Sequence, residues 1–111
     1  MATLSHGIVP DQILVASWGY GQTNVDFFQV TKVTRCTVEI RKLEKRIAYV
    51  EIDGSAVRVV PVFGSFVEDP IRRRPHASKY DGGAFLQVNS YTFARLWDLL
   101  PAYATHPAWG H

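Results

Sequence analysis

Cysteine is almost missing from this sequence. Cys36 is the only one in 111 residues, so neither an intramolecular disulfide nor a thiolate cluster for zinc can form. Metal-ligand spacing is missing as well: His6, His76, His106 and His111 have no carboxylate or thiol placed to join them, and no metal or other cofactor is expected. The chain has no Gly-Lys-Ser/Thr string to cradle a phosphate, and Ser17 and Ser90 lack the glycine-flanked elbow of a nucleophilic serine. Asp26 and Asp98 would form a carboxylate pair only if the fold brought them together. No apolar run approaches the roughly 20 residues that span a bilayer. Residues 1–10 carry neither the basic start nor the apolar core of a signal peptide. The expectation is a cytoplasmic protein that is not an enzyme.

Charge of one sign is scarce too. The net charge is +2, far from the dense positive charge that makes a nucleic acid the default partner, and equally far from an acidic imitation of DNA. What is present is ordinary for a folded chain: 47% apolar and 20% charged residues. Aromatics are generous at 13%, and in so short a chain Trp18, Trp97 and Trp109 either build the core or crowd a binding face. The length fits one domain over 1–111, with a loose arm at 1–11 and a proline-broken, aromatic tail at 101–111 that packs on the body.

Short β-branched and aromatic runs dominate. Ile13 to Trp18 reads as a strand bounded by Gly19, and Asp26 to Thr34 as a second, dense in Val, Thr and Phe. Thr34-Arg35 can hold a tight turn into Cys36–Arg41, where Cys36, Val38 and Ile40 alternate with Thr37, Glu39 and Arg41. That alternation predicts Cys36 as a small buried hydrophobe rather than a nucleophile. Leu43–Arg46 favours helix and Ile47–Ile52 strand; Asp53-Gly54 is a hairpin dipeptide leading into a strand at 56–62. Pro61 confines that strand to an edge or a bulge. Gly64 to Gly83 reads as a long irregular segment, and Ala84–Val88 as a short strand. Over 91–100, Tyr91, Phe93, Arg95 and Trp97 alternate as in a strand, while Ser90 could instead cap a short helix; strand is the favoured reading. The pattern predicts a mainly β protein with little helix, its small antiparallel sheet rolled into an SH3-like barrel.

The connection Ser17 to Phe28 stands out. It gathers Trp18, Tyr20, Gln22 and Asn24 with Gly19 and Gly21 between two apolar runs. One reading is structural: glycines for positive φ, Asn24 and Asp26 closing turns, Trp18 and Tyr20 plugging a barrel end. The other is recognition, with Trp18, Tyr20, Gln22 and Asn24 presented to a partner protein. Basic residues collect at Lys32, Arg35, Arg41, Lys42, Lys45 and Arg46, and again at Arg72, Arg73 and Arg74 with His76 and Lys79. With Tyr80 and Phe85 nearby, the second cluster reads either as a phosphate-contacting patch or as a solvated loop.

The string Ser17-Trp18-Gly19-Tyr20-x-Gln22-Thr23-Asn24-Val25-Asp26-Phe27 resembles the signature of a widespread group of small proteins of phages, prophages and other mobile elements. Asn89-Ser90-Tyr91, Leu96-Trp97-Asp98, Thr105-His106 and Gly110-His111 are similar to later segments of that group. The sequence departs from the pattern after Asp98, where Leu99-Leu100 replaces an expected glycine turn. The resemblance implies a mobile-element setting and no mechanism. Two functions follow as expectations. The first is a protein-binding module aimed at host machinery, including an inhibitor of a defence complex such as a CRISPR effector. The alternative is a nucleic-acid-binding accessory protein using clusters 32–46 and 72–79.

Overall fold

The computed structural model of the chain describes residues 7–19, 23–51, 54, 56–77, 83–89 and 92–105. Nine strands and no helix are found among them: β1 (Ile13–Trp18), β2 (Asn24–Val33), β3 (Val38–Val50), β4 (Ala56–Phe66), β5 (Ile71–Arg73), β6 (Pro75–Ala77), β7 (Ala84–Asn89), β8 (Thr92–Leu96) and β9 (Ala102–Thr105). Every ladder is antiparallel, in the order β6-β7-β8-β1-β2-β3-β4-β9, with β5 added to β3. The favoured strand reading of 91–100 therefore holds over Thr92–Leu96.

The apolar runs in β1 and β2 are continuous because both faces of these strands are covered. Leu14, Ala16, Phe28 and Val30 join Ile8, Val38, Ile40, Leu86 and Ala94 in one core. Val25 and Phe27, with Ile13 and Val15 beside them, face a second core of Leu43, Val57, Val59 and Ala104. In a strand, neighbouring side chains point to opposite faces, so a pair such as Phe27 and Phe28 serves two cores. Within 1–11, expected as a loose arm, the described part is tied to the body: Ile8 is fully buried and Asp11 N donates to Val30 O at 2.8 Å. The tail contributes β9, which pairs with β4 from Ala56↔Thr105 to Val59↔Ala102.

Among the described residues no ladder closes the sheet, but the chain curls it. β5 pairs with β3 and β6 with β7, and Arg74 alone separates β5 from β6. Arg73 reinforces that junction: its Nε and Nη2 donate to Val88 O of β7 at 3.2 and 3.0 Å, and its Nη1 to Arg72 O at 2.8 Å. A planar fork donating twice to one carbonyl does what a ladder would do between β5 and β7. Arg73→Lys is expected to lower stability by about 1 kcal/mol and Arg73→Ala by about 2–3 kcal/mol, read by urea unfolding. A neutral Arg73→Ala would mean that the curl is held by packing alone.

Four local expectations are corrected. Cys36 is exposed, in a turn before the strand, which starts at Val38. Thr34 and Thr37 clasp each other across that turn, hydroxyl to hydroxyl at 2.7 Å and Thr37 N to Thr34 Oγ1 at 3.0 Å, so Arg35 and Cys36 are lifted to its tip. Leu43–Arg46 is strand and not helix, because pairing to β4 overrides the local preference. The stretch 64–83 is not irregular throughout: β4 continues to Phe66, and β5 and β6 follow. The departure at Leu99 does not remove the turn either. Leu99 adopts it at φ 70, Asp98 Oδ1 accepts from Leu100 N at 2.9 Å, and Trp97 Nε1 donates to Leu100 O at 2.8 Å.

A leucine in the left-handed region carries a steric cost that glycine avoids, and Leu99 is 75% exposed, so little packing compensates. Leu99→Gly is expected to raise stability by about 0.5–1 kcal/mol, after the entropy glycine adds to the unfolded chain, measured as a higher Tm.

Pro61 lies where β4 has outrun β9 and enters a bulge, between Lys45↔Pro61 and Leu43↔Phe66. Gly64, at φ 77, makes that bulge possible, and its N–H donates to Oε1 of the buried Gln29 at 2.9 Å. Beyond Leu43 every residue of β3 to Val50 is exposed, while its partner β4 keeps Ala56, Val57 and Val59 buried beneath it. The radius of gyration, 14.6 Å, exceeds the roughly 13 Å of a compact chain of this length.

Candidate functional site

The connection after β1 leaves from Trp18 and returns at Asn24, which lie opposite each other in the ladder. Asp26 is two residues further along β2, on the same face as Asn24, and so within reach of the Trp18 side chain. The indole Nε1 donates to Asp26 Oδ2 at 2.7 Å. Asp26 is also the acceptor for two lysines of β3: Lys42 Nζ lies 3.6 Å and Lys45 Nζ 3.3 Å from Oδ1. Lys45 further donates to Val25 O, just past the Phe27↔Leu43 end of the β2–β3 ladder, and Lys42 reaches Glu68 at 3.5 Å.

These groups ring a cavity of about 240 Å³ at one end of the curled sheet, with Phe28, Ile71 and Val88 lining it beside Trp18, Asp26, Lys42, Glu68, Asn89 and Thr92. Of the charged groups lining it, Lys42 bridges Asp26 and Glu68, and Lys45 approaches Asp26 from outside the lining. Among the described residues no group of three or more His, Cys, Asp or Glu could hold a metal. What the ring does is mechanical. It holds the Trp18 indole, 38% exposed, by its polar edge against a carboxylate that two ammonium groups keep in place.

Of the residues expected to recognise a partner, Trp18 and Asn24 sit at this mouth; Tyr20 and Gln22 lie outside the described residues. The Asn24 Nδ2 is buried with no hydrogen-bond partner among the described residues. Asp26 and Asp98 are engaged separately, Asp98 with Leu100 N, and do not form a carboxylate pair.

The basic clusters are not single surfaces. In the first, Lys42 and Lys45 turn to Asp26, and Arg41 lies 4.4 Å over the Phe66 ring while its Nε donates to Glu68 O at 3.1 Å. In the second, Arg73 is spent on Val88 O, Arg72 is exposed and 4.0 Å from Glu39, and Arg74 is exposed; Lys79 and Tyr80 lie outside the described residues. Arg58, on β4 between β3 and β9, is held above its ordinary pKa by its hydrogen bond to Glu51 at 2.7 Å.

The sequence sets His76 and Phe85 beside the second basic cluster but does not show the row they form with Phe93. His76, Phe85 and Phe93 follow one another across β6, β7 and β8, with centroids 5.4 and 5.9 Å apart. The alternation of Phe93 with Arg95 was the available signal, but only pairing to β7 places Arg95 opposite Phe85. No protein-family model, curated protein or solved structure matches this chain. Among the described residues no helix is long and apolar enough to cross a membrane.

Proposed function

We propose that this chain is a small non-enzymatic protein-binding module of phage or mobile-element type, working in the host cytoplasm, and that its target is a host defence complex such as a CRISPR effector. Its curled sheet is read as an SH3-like barrel drawn together through β5, β6 and Arg73, with the Trp18 mouth as the docking end. The observation that carries the reading is the held, partly exposed Trp18 at the cavity mouth. A large ring already fixed before binding loses little entropy on docking, and such aromatics dominate interface energies. Tyr20, Gln22 and Asn24 extend the same docking end in sequence, and the mobile-element setting rests on the Ser17–Phe27 resemblance.

The test is interference. Cells carrying CRISPR effectors of several types are challenged with a targeted phage while expressing this chain. Restored plaquing is expected with at least one type, and Trp18→Ala is expected to weaken affinity for that effector about thirtyfold, equivalent to about 2 kcal/mol. No restoration with any type removes the defence-inhibitor reading; full potency of a folded Trp18→Ala variant removes the docking site.

A further inference from the structure

A second surface lies away from the Trp18 mouth, on the outer face of β6, β7, β8 and β1. Leu14, Leu86 and Ala94 point into the core, so their neighbours Phe85, Phe93 and Arg95 lie on the opposite face. Phe93 is 52% exposed, and with Phe85 it forms a patch of rings rather than a lone exposed side chain. It stands edge-on to Phe85, which in turn packs against the exposed His76. Arg95 lies opposite Phe85 on one side and Val15 on the other, and makes no ion pair among the described residues. A groove of about 440 Å³ runs here, lined by Phe85, Phe93, Arg95, Ser17 and Leu96 among others.

Charge on this part of the sheet is one-sided. β1, β6, β7 and β8 contain no Asp or Glu, whereas β2 and β3 hold Asp26, Glu39 and Glu44. Arg74, exposed and unpaired among the described residues, lies two residues before His76. The modest net charge of the whole chain therefore conceals a face where a guanidinium and aromatic rings occur together without a carboxylate on their strands.

We propose that this face binds single-stranded nucleic acid, with bases stacked on Phe93 and Phe85 and phosphates held by Arg95 and Arg74. Rings on a sheet surface accept any base through its π-face, and surrounding arginines follow the backbone. A duplex offers phosphates but hides its base faces in the helix stack. An acidic peptide would satisfy the arginines and leave the row of rings without a purpose. This site takes Arg74, His76 and Phe85 from the second basic cluster and its neighbours and joins them, across β7 and β8, to Phe93 and Arg95, and it does not depend on the Trp18 reading.

Fluorescence anisotropy with labelled oligo-dT, oligo-rU and a mixed-sequence duplex of equal length, over a salt series, tests the proposal. Binding of at least one single strand is expected, weaker binding of the duplex, and a steady loss of affinity with salt. Comparison of dT with rU separates DNA from RNA. Phe93→Ala is expected to lose about fivefold to a hundredfold in affinity at unchanged Tm. Arg95→Ala is expected to weaken all sequences alike and to make the salt slope shallower by a little under one. Lys32→Ala, near the turn between β2 and β3, and Trp18→Ala should leave binding unchanged. The proposal is overturned by no binding at the lowest salt, by a duplex bound as tightly as a single strand, or by Lys32→Ala costing as much as Phe93→Ala. If Phe93→Ala instead weakens effector docking while no oligonucleotide binds, the face belongs to a protein partner and the proposal fails.

Discussion

Phe27→Ala is expected to lower the unfolding free energy by about 3–5 kcal/mol, a large part of what a domain of this size possesses. Phe27 is fully buried, and Trp97 meets it edge-on with ring centroids 5.7 Å apart. Its ring fills the space between the outer face of β1–β2 and the strands that cover it, β4 and β9. Strands β4 and β9, which cover the ring, are tied to each other from Ala56↔Thr105 to Val59↔Ala102, and the less they give the more of the cavity cost remains.

Phe28→Ala should cost about as much, because its ring belongs to the first core with Leu14, Val30 and Leu86. The two variants separate in hydrogen exchange: Phe27→Ala should speed exchange chiefly in β4 and β9, and Phe28→Ala chiefly in β7 and β8. Uniform loss of protection in both would show a single cooperative unit in place of two cores.

That pair also marks how far the sequence could be read. Strands β1, β2, the β3–β4 hairpin, β7 and β8 were legible, because each is a run of β-branched or aromatic residues ended by a turn signal. β5 and β6 were not. Three residues are too few for alternation, and Ile71-Arg72-Arg73 looks like a charged loop until β3, some thirty residues earlier, supplies its hydrogen bonds. Cys36 departs from its alternation for a related reason: two threonines clasp across a turn longer than Thr34-Arg35, and the strand starts only at Val38. At the mouth, Trp18 and Asn24 were legible as a motif. Its electrostatics were not, because Lys42 and Lys45 belong to a basic run in the sequence and to an acidic partner in space. Composition records how many charges there are; only strand pairing decides which of them remain available to a ligand.

Asp26→Ala is expected to cost about 2–3 kcal/mol and Asp26→Asn about 1 kcal/mol, read by thermal and urea unfolding. The Asp26 side chain is only 12% exposed, so the alanine variant leaves an indole N–H and two ammonium groups without their acceptor. The lysines are 28% and 42% exposed and recover much of their hydration, which places the cost below that of breaking a fully buried ion pair. Asparagine still offers an oxygen to the indole but gives up both ion pairs. A double-mutant cycle with Trp18→Phe, which removes the N–H together with the pyrrole part of the indole, subtracts the lost packing and leaves the Trp18–Asp26 term, expected at about 1–2 kcal/mol. The same variants separate the two meanings of the mouth. If Trp18 is merely a plug, effector binding should fall only as far as stability does across all three variants. If it is a held anchor, Asp26→Asn should remain folded and yet bind more weakly, because the ring is present but no longer fixed in direction.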